Sequence, residues 1–302
     1  MKAMKKFQRF LQEKKVLVAD GAWGTEFIEM GLSPGEIPEI LNLKRASDVR
    51  RVAENYRNAG ADIILTNTFG ANRLKLKRAG FTGDVREINR IGVELSKEKA
   101  GEVLVFASVG PTGEFLQPLG DFKEEDFVEV FSEQVEGFIE GGTDGVIIET
   151  MSDVKEALCA LRAVKENSSL PVGISFSFNK GKDSFVTMMG VTVEVAVSAL
   201  KRENPDIIGA NCGSVTIKDM VGIAGIMREV CNLPLWMKSN AGIPLMKNGR
   251  TFYPQTPEEM AETVPELIKA GVGVIGGCCG TTPEHIRRIR EKVDEEVRDE
   301  DR

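Results

Sequence analysis

The chain has 302 residues, 42% hydrophobic and 28% charged, a globular composition that leaves out disordered and collagen-like classes. Its 39 basic and 46 acidic residues give a net charge of −7 with the signs interspersed, so it offers no electrostatic footprint for nucleic acid or an anionic membrane. No apolar run reaches the roughly eighteen residues of a membrane-spanning helix, and Gln8, Arg9, Gln12 and Glu13 interrupt the basic N-terminus before a signal-peptide core can form, which points to the cytoplasm.

Short β-branched runs alternate with longer amphipathic stretches along the chain. After an opening helix-like segment, strands are predicted at 17–20, 62–66, 103–109, 146–149, 172–176, 207–211, 235–238 and 272–275. Helices are predicted around 49–58 and over 85–99, 124–139, 154–166, 193–203, 217–230, 257–270 and 283–297. Thr256-Pro257-Glu258-Glu259 supplies a capping hydroxyl, a proline at the first helical position and an acid three residues on, and Thr282-Pro283 repeats the first two. Eight such units call for a parallel sheet, and their number matches an α/β chain closed as a (β/α)8 TIM barrel, with chemistry at the C-terminal ends of the strands. An open doubly wound sheet competes, but Asp20-Gly21-Ala22-Trp23-Gly24-Thr25 is not the glycine fingerprint expected after its first strand. The expected organisation is one barrel domain over 14–292, preceded by an N-terminal helical extension (1–13) and followed by a charged tail (293–302) that reads as a frayed helix end.

Five cysteines, an odd number in a large chain without an export signal, argue against a disulfide framework. Cys159 falls mid-helix and Cys231 at a helix end, where a thiol packs as a small hydrophobe. Cys212, Cys278 and Cys279 fall at the ends of strands six and eight. Side chains alternate along a strand, so Cys278 and Cys279 converge only if the chain leaves strand geometry, which Gly276, Gly277 and Gly280 permit. Three buried thiols or a vicinal disulfide are the plain alternatives, and the disulfide needs an oxidising setting. A three-thiolate metal site is the favoured reading, with zinc or an iron–sulfur centre selected by soft sulfur ligands. A four-cysteine cluster needs one more thiolate than the strand ends provide, whereas zinc with three protein ligands and an open position is the pattern of a catalytic site. The single histidine, His285, lies in the first turn of the last helix and reads as a cap rather than a general base.

Three thiolates donate so much charge that zinc becomes a poor activator of water and is better matched to an incoming thiol, which loses its proton on coordination. The expected reaction is attack of that sulfur on an electrophilic carbon, most simply a methyl group. Asp20 and Glu149, ending strands one and four, suit the ammonium of an amino-acid thiol; a turn cap and a local ion pair are their plain alternatives. The backbone amides of Gly21 and Ala22 suit its carboxylate.

The segments Asp20-Gly21-Ala22-Trp23-Gly24-Thr25-Glu26, Thr66-Asn67-Thr68-Phe69, Gly110-Pro111-Thr112-Gly113, Glu149-Thr150, Asn211-Cys212, Ser239-Asn240-Ala241-Gly242 and Gly276-Gly277-Cys278-Cys279-Gly280-Thr281-Thr282-Pro283 together resemble the homocysteine S-methyltransferase family, over about residues 14–292. The pattern is most similar to the homocysteine-binding modules of its cobalamin-dependent members. The resemblance implies a (β/α)8 barrel, zinc on Cys212, Cys278 and Cys279, the homocysteine amino group on Asp20 and Glu149, and its carboxylate at Gly21 and Ala22. It also implies Thr68 in the pocket wall and Asn240 as a fourth zinc ligand before substrate arrives. Ser239 stands where such modules usually carry proline. The folate-binding, cobalamin-binding and activation modules of those members have no counterpart in these residues. Methylcobalamin, the donor implied, is therefore expected in trans, on a separate corrinoid protein or a missing module. A sulfonium or betaine donor, another thiol acceptor, and a non-catalytic zinc- or thiol-binding barrel that partners a corrinoid protein are the alternatives.

Overall fold

The computed structural model describes residues 2–33, 35–182, 184–247 and 250–300; Met1 of the expected extension and residues 301 and 302 of the expected tail lie outside them. Eight parallel strands form one sheet: β1 (Leu17–Val18), β2 (Ile63–Leu65), β3 (Leu104–Val109), β4 (Gly145–Met151), β5 (Val172–Phe176), β6 (Ile207–Asn211), β7 (Leu235–Ser239) and β8 (Val272–Gly277). In space they run β1-β8-β7-β6-β5-β4-β3-β2. A parallel bridge between Ala19 and Ile63 joins the two ends, with the Asp62 amide donating to the Val18 carbonyl at 2.7 Å and the Asp20 amide to that of Ile63 at 3.0 Å. The chain is a (β/α)8 TIM barrel.

Period-two alternation sorts the strand residues between two cores. Leu17, Ala19, Ile63, Leu65, Leu104, Phe106, Ile147, Ile207, Trp236 and Val274 fill the barrel interior as one buried cluster. Their neighbours, among them Val18, Ile64, Val105, Ile148, Ile208 and Ile275, face outward and pack under the helices. The interior is therefore a filled core, and any site must lie above it.

The N-terminal segment is not an appendage. Helix Lys2–Lys14 drives Phe7 into the interior cluster, where its ring lies 5.6 Å from that of Phe106. Lys14 meets Asp62 at 2.5 Å, and the other oxygen of Asp62 accepts from the Val18 amide and from Arg290, each at 2.9 Å. One buried carboxylate thus joins the N-terminal helix, β1 and the last helix.

Most predicted helices stand where expected, but the one over 257–270 is two helices, Pro257–Ala261 and Val264–Lys269. Pro265 has no N–H to give the preceding turn, so the second helix restarts there. The expected cap is present: Thr256 and Glu259 exchange hydrogen bonds as a capping box. The tail does not fray within the described residues, since helix Pro283–Glu300 is continuous and buries Val293. Two hairpins, Asn179–Lys180 with Phe185–Val186 and Leu245–Lys247 with Arg250–Phe252, rise from the loops after β5 and β7. Strands of two or three residues are too short for periodicity to reveal.

His285 stands in for the missing acid of the second cap. Its Nδ1 accepts from the Thr282 amide at 3.1 Å, which leaves Nε2 as the protonated nitrogen, facing the Gln255 carbonyl at 3.1 Å. Burial pushes its pKa down, against a smaller opposing pull from Gln255. The unfolded chain therefore holds the proton more tightly, and stability falls as pH drops below about 6.5 towards the folded value. Comparing urea midpoints at pH 7.5 and 5.5, wild type should lose more stability than His285→Asn; equal losses would remove the cap from this account. Phe7→Ala should cost about 3–5 kcal/mol in the same measurement, whereas an unchanged midpoint would mark the N-terminal helix as dispensable.

Candidate functional site

The interior face of each strand continues past the apolar core into polar residues. Phe106 is followed two residues on by Ser108, Ile147 by Glu149, Trp236 by Lys238, and Val274 by Gly276 and then Cys278. Ser108, Glu149, Lys238 and Cys278 line a cavity of ≈ 500 Å³ at the barrel mouth, with Cys212 and Cys279 at its edge.

The sulfurs of Cys212, Cys278 and Cys279 all lie within 4.8 Å of one another, with Cys212 and Cys279 at 4.0 Å. No disulfide joins them. The expected departure from strand geometry occurs after Gly277: the Thr281 amide donates back to the Cys278 carbonyl at 3.1 Å in a tight turn with Gly280 at φ +79°. A Cβ on Gly280 would lie 2.1 Å from the Tyr253 ring, and one on Gly277 would lie 2.3 Å from the Thr281 hydroxyl. Cys212 itself adopts φ +57°, a left-handed conformation that costs free energy in a non-glycine residue and turns its sulfur towards the other two. Three backbone bonds fix the group: the Cys212 amide to the Lys238 carbonyl at 3.1 Å, that of Cys278 to Ser239 at 2.7 Å, and that of Ala241 to the Cys279 carbonyl at 3.0 Å.

The donor set suits a soft cation. The thiols exchange hydrogen bonds that pull in both directions, and with burial the net effect is upward, to about 11 for Cys212 and about 12 for Cys279. A cation among them replaces those protons. Asn240 adds a second sign: its amide nitrogen donates to the Gly213 carbonyl at 3.0 Å, while its buried Oδ1 has no hydrogen-bond partner among the described residues. Asn240 does not line the cavity, and its unpartnered oxygen is the one feature that accords with the expected fourth-ligand role.

The charged groups are arranged differently from the sequence expectation. Asp20 is fully buried, and both its oxygens are taken: Oδ1 by the Lys238 ammonium at 2.7 Å, Oδ2 by the Trp23 indole and the Leu65 amide, each at 2.7 Å. Burial alone would depress the Lys238 pKa, but Asp20 and Glu149 outweigh it and hold the amine protonated. Glu149 accepts from the Ser108 hydroxyl at 2.6 Å and has no cation within ion-pair distance among the described residues. Burial raises its pKa in spite of Lys238 and Ser108. Of the two expected acids, only Glu149 lacks an ion-pair partner among the described residues; Glu39 also lines the cavity without one, and accepts from the Gly70 amide.

Two further expectations are corrected. Thr68 is wholly buried and bonds back to the Ser108 carbonyl at 2.8 Å, because the turn from Thr66 points it into the barrel wall; Thr66, Asn67 and Phe69 line the cavity instead. Gly21 and Ala22 both line the cavity, but the Ala22 amide is committed to the Thr281 hydroxyl at 3.1 Å, which leaves only that of Gly21.

Lys238 was missed by reading strand ends alone, and Asn211, quoted there beside Cys212, was given no role of its own. Lys238 is detectable as a charge two residues after Trp236 in an otherwise apolar strand. Asn211 accepts from the Thr150 amide at 2.8 Å and the Ser175 hydroxyl at 2.5 Å, and its amide group donates to the Thr150 hydroxyl at 2.7 Å and faces the Cys278 sulfur at 3.8 Å. It thereby holds Thr150, another left-handed residue at φ +62°, beside Glu149.

A profile of the homocysteine S-methyltransferase family matches residues 17–293. The methionine synthases of Mycobacterium tuberculosis and Mycobacterium leprae are each 28% identical to the chain over 93% of its length, and the chain spans about a quarter of theirs. Among solved structures, the metallated form of the homocysteine methyltransferase MmuM from Escherichia coli superposes with a TM-score of 0.79 at 21% identity, over 95% of this chain and 99% of that one. With a family profile spanning nearly the whole barrel, this chain belongs to the homocysteine S-methyltransferase family.

Proposed function

We propose that the chain activates homocysteine at a zinc ion held by Cys212, Cys278 and Cys279 and passes the sulfur a methyl group, forming methionine. Methylcobalamin, on a separate corrinoid protein or module, is the proposed donor. The observation that carries the reading is the convergence of three thiols on a cavity whose wall also holds Glu149, a carboxylate with no ion-pair partner among the described residues. Zinc bound by three thiolates supplies a soft position at which an incoming thiol loses its proton and stays nucleophilic.

The remaining work falls to the chain's own side chains. Glu149 binds the amino group of homocysteine, and the arriving ammonium offsets the burial that otherwise raises its pKa. Ser108 and Asn211 hold Glu149 and its neighbour Thr150 in place. Trp23, Leu65 and Phe69 line the cavity and exclude water from the sulfur. The sulfur then forms its new bond to the methyl carbon, and the electron pair of the broken bond stays with the donor.

Cys279→Ser should bind well under the roughly one equivalent of zinc held by wild type and should release no proton when homocysteine is added. Wild-type zinc content and full methyl transfer in that variant would refute the proposal. Glu149→Gln should raise the KM for homocysteine roughly 10–100-fold with zinc content unchanged, the scale of a lost charge-assisted hydrogen bond. The donor is tested by incubating zinc-loaded protein and homocysteine with methylcobalamin, S-methylmethionine, S-adenosylmethionine or betaine; methionine formed only from one of the last three would overturn the corrinoid assignment.

A further inference from the structure

A second cavity, of ≈ 400 Å³, adjoins the one at the barrel mouth and shares Pro38, Glu39 and Phe69 with it. Helix Arg73–Arg78 brings Lys75 and Arg78 to one corner of it: a Cβ on Gly113 would lie 3.6 Å from Cε of Lys75 and 3.3 Å from Nη1 of Arg78. Arg78 is paired with Glu114. Lys75 is not paired: its ammonium stands 4.9 Å from the centre of the Phe69 ring, and no hydrogen-bond acceptor or ion-pair partner meets it among the described residues. Burial pulls its pKa down, and Glu39 and Glu156, beyond ion-pair distance, offset that only in part. Glu39 is 4% exposed and accepts from the Gly70 amide at 2.5 Å, so the charge this cavity offers a ligand is that of Lys75. A half-buried ammonium with three protons to donate is stabilised by an arriving anion.

Methylcobalamin carries a phosphodiester, and the sulfonium donors S-methylmethionine and S-adenosylmethionine each carry a carboxylate, so an oxyanion is common to all three. We propose that the second cavity is a methyl-donor subsite in which Lys75 receives this oxyanion, while the methyl-bearing end of the donor lies in the adjoining cavity beside the thiols. The inference rests on the methyl-transfer reading above, whichever of these donors is used, and adds what holds the donor. It makes Lys75 a specificity-determining residue for the donor and gives it no part in binding the acceptor thiol.

The test gives zinc-loaded protein and homocysteine two pairs of donors, each pair differing by the oxyanion. Methylcobalamin is set against methylcobinamide, which lacks the phosphodiester, and S-methylmethionine against (3-aminopropyl)dimethylsulfonium, which lacks the carboxylate. The pair that yields methionine identifies the source of the oxyanion. In wild type the oxyanion-bearing member should have a kcat/KM roughly tenfold or more above its counterpart, the scale of a charge-assisted hydrogen bond. Lys75→Met should erase that preference, and Lys75→Arg should restore most of it. A preference retained by Lys75→Met, or absent from wild type, overturns the proposal. A second reading needs neither donor nor variant: acylation of Lys75 by an N-hydroxysuccinimide ester, followed by mass spectrometry, should slow several-fold in saturating inorganic phosphate, while that of the exposed Lys77 should not. Equal rates at Lys75 with and without phosphate also overturn it. Methionine from neither pair would instead overturn methyl transfer from these donors, with the phosphate result still deciding the subsite.

Discussion

Everything at the barrel mouth depends on one constraint: a strand can send only alternate residues inward. Where Phe106, Ile147, Trp236 and Val274 close the interior, the next inward positions cannot be packed from below. Ser108, Glu149 and Lys238 hold these positions, and after Gly276 the same face of β8 reaches Cys278; all four line the cavity. The hydrophobic core and the candidate site are successive layers of the same alternation, so the rigidity of the first positions the second. Cys279 escapes the rule only because a turn with a left-handed glycine follows Gly277.

Electrostatics then decides what the cavity can accept. Asp20 and Lys238 are buried together and balance each other, an arrangement tolerated because each completes the other's hydrogen bonding. Glu149, in the same wall, has no ion-pair partner among the described residues, and burial raises its pKa. Hydrogen bonds among the three thiols, together with burial and mutual repulsion, push the Cys212 and Cys279 pKa values up, so a metal cation would have to displace their protons. On the proposed reading, a zwitterionic thiol would bring a positive charge to Glu149 and a sulfur to the metal in one molecule.

Much of this was legible in the sequence. All eight strands could be read from their short apolar runs, and Cys212, Cys278 and Cys279 could be grouped because a barrel brings its strand ends together. Lys238 could not be read as a partner of Asp20, since the two lie 218 positions apart and only the pairing of β1 with β8 places β1 near β7. Thr68 went astray for a local reason, a turn after β2 that reverses side-chain direction within two residues. The N-terminal helix looked like an extension because Phe7 gives no sign in sequence that it fills the bottom of the barrel.

The central claim is that three cysteines bind zinc with one position left for the sulfur of the acceptor. X-ray absorption at the zinc edge, with and without homocysteine, tests it most directly. The account predicts three sulfurs and one lighter ligand in the free protein, changing to four sulfurs at about 2.3 Å when homocysteine is added. A zinc shell unaltered by homocysteine, or one with fewer than three sulfurs at the start, would contradict it.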